Sequence, residues 1–250
     1  MSSETGPPLE VSVVFPAYNE ASRLEKAVLE TERFLRKITS SFEILIAEDG
    51  STDGTDVLAS TLSKKYPYVR HLHGDTRLGR GRALRRAFEA SRGKTLVYID
   101  VDLSTDPRFL RPLIESVGEG YDIVTGSRGL RESRVERSFL RQLASTSYNL
   151  MVRLFLKSDL KDHQCGFKAF NRRSLFKIVD RVKARHWFWD TEVLVLASRS
   201  GFKIKEIAVD WKGGKKTKVH LLSDTLKMGL RIIRLWWRLN ARCLVPKLIY

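Results

Sequence analysis

The chain has 250 residues, of which 42% are hydrophobic and 30% charged, a balance that excludes a disordered tail and a multi-span membrane protein. This length suits one large domain or two small ones. Lys and Arg number 45 against 29 Asp and Glu, and the formal charge of +16 favours an anionic partner such as nucleic acid, a phosphorylated substrate or a membrane surface.

The first half of the chain alternates between short apolar runs rich in β-branched residues and longer segments with apolar residues at helical spacing. The apolar runs predict strands at residues 11–15, 43–47, 69–73, 95–99 and 121–125. The intervening segments predict helices at residues 20–38, 56–65, 81–91 and 107–117. Near-continuous apolar strands separated by helices are typical of an α/β fold with a mostly parallel sheet and helices on both faces.

The pattern changes after residue 130. A charged segment at 131–141 is expected to be mobile, and residues 164–170 predict a compact turn and strand. Further helices are predicted at residues 142–156, 190–200 and 223–237, with Ser223 as N-cap of the last. Residues 203–211 alternate as a strand does, and 212–218 form a basic loop. We therefore divide the chain into a domain of residues 1–222 and a basic amphipathic helix at 223–250.

Polar or glycine-rich segments follow four of the predicted strands. They read PAYNE, EDGSTDGT, DVDLS and GSRG. In parallel sheets, ligands bind beyond the carboxyl ends of the strands, so we expect these four segments to share one site.

Asp100 and Asp102 follow the strand predicted at 95–99 and are separated by one residue. In an extended segment, side chains two residues apart point to the same side. Two carboxylates that close repel each other unless a cation is near, and Mg²⁺ is typically held by one or two carboxylates with substrate phosphates. A pair of ordinary surface acids is the alternative, because D-x-D is a short pattern. Its position directly after a strand favours a metal–diphosphate site.

Two further features leave alternatives open. Asp49 is either a turn residue or a carboxylate that accepts hydrogen bonds from a base or ribose. Arginines surround Gly79 and Gly81, where backbone amides could approach a phosphate, but the same segment is equally well interpreted as a solvated basic helix face. It lacks the GK[ST] of a Walker A loop.

The segments FPAYNE, EDGSTDGT, LGRGRAL, YIDVDLS, GSR and QCGFK, in this order, resemble the family 2 glycosyltransferases of GT-A fold. The resemblance runs from about residue 11 to 227 and is greatest to the dolichyl-phosphate β-glucosyltransferase and dolichol-phosphate mannosyltransferase branch. QCGFK and WFWDTE are more similar to the glucosyl than to the mannosyl enzymes. It implies a GT-A Rossmann-like sheet with a basic amphipathic C-terminal helical part.

The resemblance also implies roles for individual residues. Nucleotide-sugar contacts would come from Pro16, Ala17, Tyr18, Glu20, Ala47, Asp49, Gly79, Asp100, Val101, Asp102 and Arg128. Catalytic roles would fall to Asp100, Asp102, Arg128, Asp190 and Gln164. Acceptor or phosphate contacts would come from Arg131, Lys212, Lys215, Lys216 and Lys218. Asp100 and Asp102 would hold Mg²⁺ or Mn²⁺. Ser104 stands where mannosyl relatives often have Gln, which argues against the mannosyl assignment.

The implied reaction is metal-dependent, inverting transfer of a hexose from a nucleotide sugar, UDP-glucose being favoured, to dolichyl or polyprenyl phosphate. GDP-mannose as donor and a non-lipid acceptor are the alternatives. A nucleic-acid partner is not expected, because the chain has no nucleic-acid module motif. A catalytically silent relative is disfavoured by the intact Asp100 and Asp102.

The C-terminal segment 226–250 combines Trp236 and Trp237 with arginines, which suits a membrane interface. A helix packed on its own domain is the alternative. No run of 18 apolar residues and no secretory signal are seen, so we expect peripheral attachment at the cytoplasmic face of a membrane. Two cysteines exclude a disulfide framework and favour a reducing compartment.

Overall fold

The structure, a computed structural model, describes residues 8–213 and 221–244, with side chains over 8–213 and 228–241. The strands are β1 (Leu9–Ala17), β2 (Phe42–Glu48), β3 (Val69–Leu72), β4 (Gly93–Ile99), β5 (Ile123–Ser127), β6 (Arg134–Glu136), β7 (Phe167–Asn171), β8 (Ile204–Ala208) and β9 (Asp210–Lys212). The helices are α1 (Ala21–Leu35), α2 (Thr55–Lys65), α3 (Arg80–Ala90), α4 (Leu110–Gly118), α5 (Phe139–Leu156), α6 (Arg172–Ile178), α7 (Trp189–Arg199) and α8 (Leu221–Leu244).

Over the described residues, a seven-stranded sheet has the order β3-β2-β1-β4-β7-β5-β8. All neighbours are parallel except β7, which runs antiparallel to both β4 and β5. The chain moves outward from β1 to β3 and then returns to place β4 on the other side of β1. The carboxyl ends of β1 and β4 therefore form the point where strand order reverses, and crevices at such points bind ligands.

The core has two layers because alternate strand residues face opposite sides of the sheet. Val13 and Phe15 of β1 pack with α1, α2 and α4, whereas Val14 packs with α3, α6 and α7. Along α1, the buried residues Leu24, Ala27, Val28, Thr31 and Leu35 recur at helical spacing and place one stripe on the sheet. The predicted mostly parallel sheet with helices on both faces is confirmed.

An aromatic cluster lies beneath the carboxyl end of β4. The ring of Tyr98 stacks on Phe170 and meets Trp189 edge-on, and Phe88 contacts all three. Truncating such a buried aromatic to alanine typically lowers the free energy of unfolding by about 3–5 kcal/mol. This cluster therefore stabilises the position of the end of β4.

Four local expectations differ from the structure. The segment expected to be mobile contains β6 and the start of α5. The strand expected at 203–211 is two strands, because β8 joins the central sheet and β9 pairs with β6. Helix α6 was not predicted. Ser223 lies inside α8, which begins at Leu221, so its assignment as N-cap is wrong.

Helix α8 packs against α5 and α7. Ile232 and Leu235 of α8 are buried with Tyr148 and Val152 of α5 and Val195 of α7. The proposed division after residue 222 falls in the first turn of this helix.

Candidate active site

A cleft of about 160 Å³ opens where β1 and β4 end. Its lining comes from the segment after β1, the end of β2, the start of α3, the residues after β4 and the segment before α7. These residues are Pro16, Ala17, Tyr18, Glu20, Asp49, Arg77, Arg80, Ala83, Asp100, Val101, Asp102, His186 and Trp187. Eight of the residues that the sequence predicts for donor binding are thus brought together in one cleft.

Asp100 and Asp102 lie in a tight turn at the end of β4. The amide of Leu103 donates to the carbonyl of Asp100 at 3.0 Å, and that of Ser104 donates to Asp102 Oδ1 at 3.0 Å. Desolvation by the surrounding protein raises the pKa of Asp100; Arg80 opposes this shift and the neighbouring Asp102 adds to it. A cation in the cleft would relieve the repulsion between the two carboxylates.

The donor atoms of this turn fit a hard divalent cation. Asp102 is exposed at the mouth of the cleft, and its Oδ2 has no bond to the turn that holds Oδ1. Carboxylate oxygens are the ligands that Mg²⁺ and Mn²⁺ prefer. Asp100 and Asp102 are therefore the residues that would hold the predicted ion.

Gly166, in the turn before β7, approaches Asp100 closely. The amide of Asp100 donates to the carbonyl of Gly166 at 3.0 Å, and a Cβ at Gly166 would lie 1.9 Å from Asp100 Oδ2. Only glycine fits against the carboxylate in this arrangement. The glycine of QCGFK is thus part of the D-x-D site.

Arg80, at the start of α3, links two acids. Its Nη1 lies 2.6 Å from Asp100 Oδ1, and its Nε lies 3.8 Å from Asp190 Oδ2. Its guanidinium also lies over the rings of Trp187 and Tyr98, at 4.9 and 5.3 Å from their centroids. Arg80 therefore fixes the position of Asp100 and supplies positive charge at the base of the cleft.

Asp190 forms a buried ion pair with Lys168 of β7, with Nζ 2.9 Å from Oδ1. Lys168 is fully buried and also donates to the carbonyls of Cys165 and His163. Burial lowers the pKa of Lys168 and raises the pKa of Asp190. The ion pair thus connects the QCGFK turn to α7. Asp190 lies outside the cleft lining and contacts it through Arg80.

Asp49, just after β2, orients the segment that leads into α3. Its two carboxylate oxygens accept the amides of Leu78 and Gly79, each at 2.8 Å. Gly79 has φ of +97°, and a Cβ there would lie 2.5 Å from the carbonyl of Arg185. Asp49 therefore shapes this turn and lines the cleft, while its contact with a base or ribose stays a prediction.

Tyr18 and Arg77 lie next to each other in the lining of the cleft. The Arg77 guanidinium lies 3.8 Å from the centroid of the Tyr18 ring. A flat aromatic with a neighbouring cation suits a nucleobase and its phosphates.

Arg128 lies outside the cleft lining and is held by Asp162. Its Nε and Nη2 donate to the two carboxylate oxygens at 2.6 and 2.9 Å, and its amide donates to Oδ2 at 3.0 Å. This pairing holds the pKa of Asp162 well below its usual range. Arg128 therefore forms a bidentate ion pair with Asp162, and this pair stabilises the turn before Gln164.

The remaining predicted residues are dispersed. Ala47 is buried in the core, and Gln164 directs its amide to the sulfur of Met228, at 3.7 Å. Arg131 is exposed, and Lys212 pairs with Glu136 at 2.7 Å on the β6–β9 ribbon. The predictions for Lys215, Lys216 and Lys218 lie outside the described residues.

Several site residues were not assigned from sequence. Arg77 and Arg80 stood out only as members of a basic segment, and His186, Trp187, Lys168 and Gly166 were given no role. One sequence signal was available for Trp187, because it stands in an aromatic run directly before Asp190. In the structure it is 51% exposed. No local pattern marks Lys168, whose partner is 22 residues away.

The amino-acid sequence matches the family model described as Glycosyl transferase family 2 over residues 12–179. The chain belongs to glycosyl transferase family 2. It is 50% identical over 244 residues to Glycosyltransferase AglD of Haloferax volcanii, covering 96% of this chain and 39% of that protein. It is 32% identical over 260 residues to the Dolichyl-phosphate beta-glucosyltransferase of Saccharomyces cerevisiae, covering 93% of this chain and 78% of that one.

This family 2 chain also resembles solved structures. Glucosyl-3-phosphoglycerate synthase of Mycobacterium tuberculosis, in complex with Mn²⁺, UDP and glucosyl-3-phosphoglycerate, superposes with a TM-score of 0.65 at 21% identity. The match covers 96% of this chain and 82% of that one. At this identity the likeness establishes the fold, and the predicted GT-A class is confirmed.

Proposed function

We propose that this family 2 glycosyltransferase transfers a hexose, glucose from UDP-glucose being favoured, to a polyprenyl or dolichyl phosphate. The observation that carries the proposal is that His186 lines both the D-x-D cleft and a second, basic cavity beside it. A donor site and an anion site therefore share a wall.

The donor would occupy the cleft at the ends of β1 and β4. Tyr18, Arg77, Asp100 and Asp102 line this cleft. In the proposed complex Tyr18 and Arg77 would contact the nucleotide, and Asp100 and Asp102 would hold the ion that binds its diphosphate. A bound Mg²⁺ or Mn²⁺ would neutralise charge on the leaving diphosphate as a Lewis acid. The curated relatives named as dolichyl-phosphate beta-glucosyltransferases support glucose.

The acceptor phosphate fits the basic cavity, which has a volume of about 500 Å³. Five of its lining residues are cationic: Lys183, Arg185, Arg231, Arg234 and Arg238. A phosphate monoester has a second pKa of about 6, so its attacking oxygen is an anion at neutral pH and needs no general base. The main barrier is then repulsion between two anions, which the arginines of α8 would reduce.

An exposed apolar face on α5 and α8 supports a lipid acceptor. Leu140 and Leu154 of α5 are 67% and 69% exposed, and Trp237 of α8 is 56% exposed. Other exposed apolar residues on the two helices are Phe139, Leu143, Leu150, Phe155, Leu230 and Ile233. Surfaces of this kind mark interaction sites, and arginines beside them favour an anionic membrane surface.

Across the described residues, every helix is too short or too polar to cross a bilayer. Because apolar residues of α5 and α8 are exposed on this face, we propose that these helices bind the surface of a membrane. The cytoplasmic face is the side proposed, because nucleotide-sugar donors would be supplied there.

A transfer assay tests the proposal. Radiolabelled UDP-glucose and GDP-mannose are each incubated with the protein, dolichyl phosphate and Mn²⁺ or Mg²⁺, and the organic phase is counted. Label from UDP-glucose in a lipid product supports the proposal. Label from GDP-mannose alone would show that the transferred sugar is mannose and not glucose. The absence of a lipid product from either donor would reject the proposal of a lipid acceptor.

A further inference from the structure

A cluster of two histidines and a glutamate lies at the edge of the sheet, on residues that the cleft does not use. Glu48 ends β2, while His71 and His73 lie at the end of the edge strand β3. One ligand atom from each lies within 4.8 Å of the other two. We propose that Glu48, His71 and His73 form a second metal site, which takes a zinc-like transition-metal ion.

The strand register explains why these three side chains meet. Ala47 of β2 pairs with Leu72 of β3, so Glu48 and His73 are the next residues along the two parallel strands. His71 and His73 are two residues apart on β3, and their ring centroids are 5.8 Å apart. His73 Nδ1 lies 2.7 Å from Glu48 Oε2. Around a tetrahedral ion with bonds of about 2.0–2.1 Å, ligand atoms lie roughly 3.4 Å apart, so the contact between His73 and Glu48 would have to open slightly to admit the ion.

One nitrogen of the cluster lacks a partner, and another has the kind of partner that metal-bound histidines have. Nε2 of His71 is buried and has no hydrogen-bond partner among the described residues. Such an orphaned nitrogen is costly to bury unless something binds it. The far nitrogen of His73, Nε2, lies 3.4 Å from Asp75 Oδ1. Histidines that bind metals almost always direct their other nitrogen to a carboxylate or carbonyl, and His73 is arranged in this way.

The surrounding main chain holds the three residues in place. Glu48 Oε1 accepts the amide of Ser51, while Oε2 contacts His73 Nδ1 at 2.7 Å and accepts the amide of Gly74 at 3.4 Å. Arg86 donates to the carbonyls of Glu48, Leu72 and His73, at 2.9, 3.1 and 2.9 Å, and so clamps the ends of both strands.

The donor set selects the type of ion. Two imidazoles and one carboxylate suit Zn²⁺ and its neighbours in the transition series, whereas Mg²⁺ prefers oxygen ligands. The side chain of His73 is 50% exposed, which leaves an entry path and room for water as a fourth ligand.

A bound ion would brace the segment that leads to the cleft. Residues 73–79 run from the end of β3 to the start of α3, and their other end is held by Asp49, the residue after Glu48. With the ion at its first end and Asp49 at its last, this segment would be held at both ends by adjacent residues at the carboxyl end of β2. The second site would therefore stabilise the folded chain and the placement of Arg77.

Metal titration of the full chain, freed of metal by a chelator, tests the proposal. The probes are Zn²⁺ by calorimetry and Co²⁺ by visible absorption, in the parent chain and in the double variant Asp100→Asn/Asp102→Asn. The double variant should keep one equivalent of Zn²⁺ and the Co²⁺ spectrum of an imidazole-bound ion, and Zn²⁺ should still raise its Tm. His73→Asn should lose the ion, the spectrum and the Tm shift.

Two further variants sharpen the test. Asp75→Asn should keep the stoichiometry but weaken Zn²⁺ binding about tenfold or more, since it removes only the partner of the bound histidine. His71→Asn should behave as His73→Asn does, and circular dichroism checks that each variant folds. Retention of the Co²⁺ spectrum in both histidine variants, or its loss in the Asp100→Asn/Asp102→Asn variant, would overturn the proposal. None of these readouts requires transfer activity, so they are independent of the proposed function.

Discussion

The amide of Asp100 donates to the carbonyl of Gly166 at 3.0 Å, and the missing Cβ of Gly166 leaves the space that the Asp100 carboxylate occupies. This contact joins two motifs that are 66 residues apart in the chain, because β4 and β7 are antiparallel neighbours with Ile99 opposite Phe167. The D-x-D turn and the QCGFK turn thus form one unit.

Replacing Gly166 with Ala should abolish this fit. The new methyl group would lie 1.9 Å from Asp100 Oδ2, so the carboxylate or the turn must move. A displacement of about 1 Å in an active site can cost roughly a hundredfold in rate, and we expect a loss of that order in kcat. Gly118→Ala is the matched control, because a Cβ there meets nothing within 4 Å. Equal rates in the two variants would show that Asp100 is not constrained by the glycine.

Replacing Arg80 with Gln should change the pH dependence of transfer. Arg80 opposes the rise in the pKa of Asp100 and the rise in the pKa of Asp190. Without Arg80, both carboxylates keep their protons to higher pH. The acid limb of the kcat/KM profile should therefore shift to higher pH. Because the Asp100 side chain is 34% exposed, we expect the loss of stability to be smaller than the roughly 3–5 kcal/mol typical of breaking a fully buried ion pair. Arg82→Gln, on the exposed face of the same helix, should leave the profile unchanged.

His163 should make the folded chain sensitive to acid. It is fully buried between Ser158 Oγ and Asn149 Oδ1, and burial lowers its pKa from 6.5 to about 4. Between these values the unfolded chain binds the proton and the folded chain does not, so stability falls as pH drops from about 6.5 to 4. The full effect is about 3 kcal/mol.

Denaturant unfolding at several pH values checks this expectation. His163→Gln should show a shallower loss of unfolding free energy between pH 6.5 and 4 than the parent chain, whatever its stability at neutral pH. Parallel curves for the two proteins would mean that His163 titrates normally.

Much of the cleft was predictable because its residues follow strands in the sequence. Pro16, Asp49 and Asp102 each stand at or just after the end of an apolar run, and parallel strands bring such ends together. The contacts of Lys168 and Gly166 were not predictable in this way. They depend on β7 inserting antiparallel between β4 and β5, which no local periodicity encodes. Residues 203–211 alternate as a single strand would, but they form two strands that belong to different sheets. Local periodicity does not encode this division either.

Polar substitution on the α5–α8 face should weaken membrane binding. Leu140→Ser/Leu154→Ser removes two leucines that are more than half exposed, and burying a leucine contributes about 1.5–3 kcal/mol. We expect at least a tenfold lower partition onto vesicles that contain anionic lipid. Val57→Ser is the matched control, since Val57 is 66% exposed but lies on α2. Unchanged co-sedimentation of the α5 variant would contradict a role for this face.

The most direct test of the central claim compares two Asp→Asn variants in the transfer assay. Asp102 lines the cleft, whereas Asp106, four residues on, caps the turn at Pro107 and lies outside the cleft lining. With UDP-glucose and dolichyl phosphate, Asp102→Asn should lose metal-dependent lipid product by at least a hundredfold, and Asp106→Asn should retain it. Equal, metal-dependent product in both variants would contradict a metal–diphosphate site at Asp100 and Asp102.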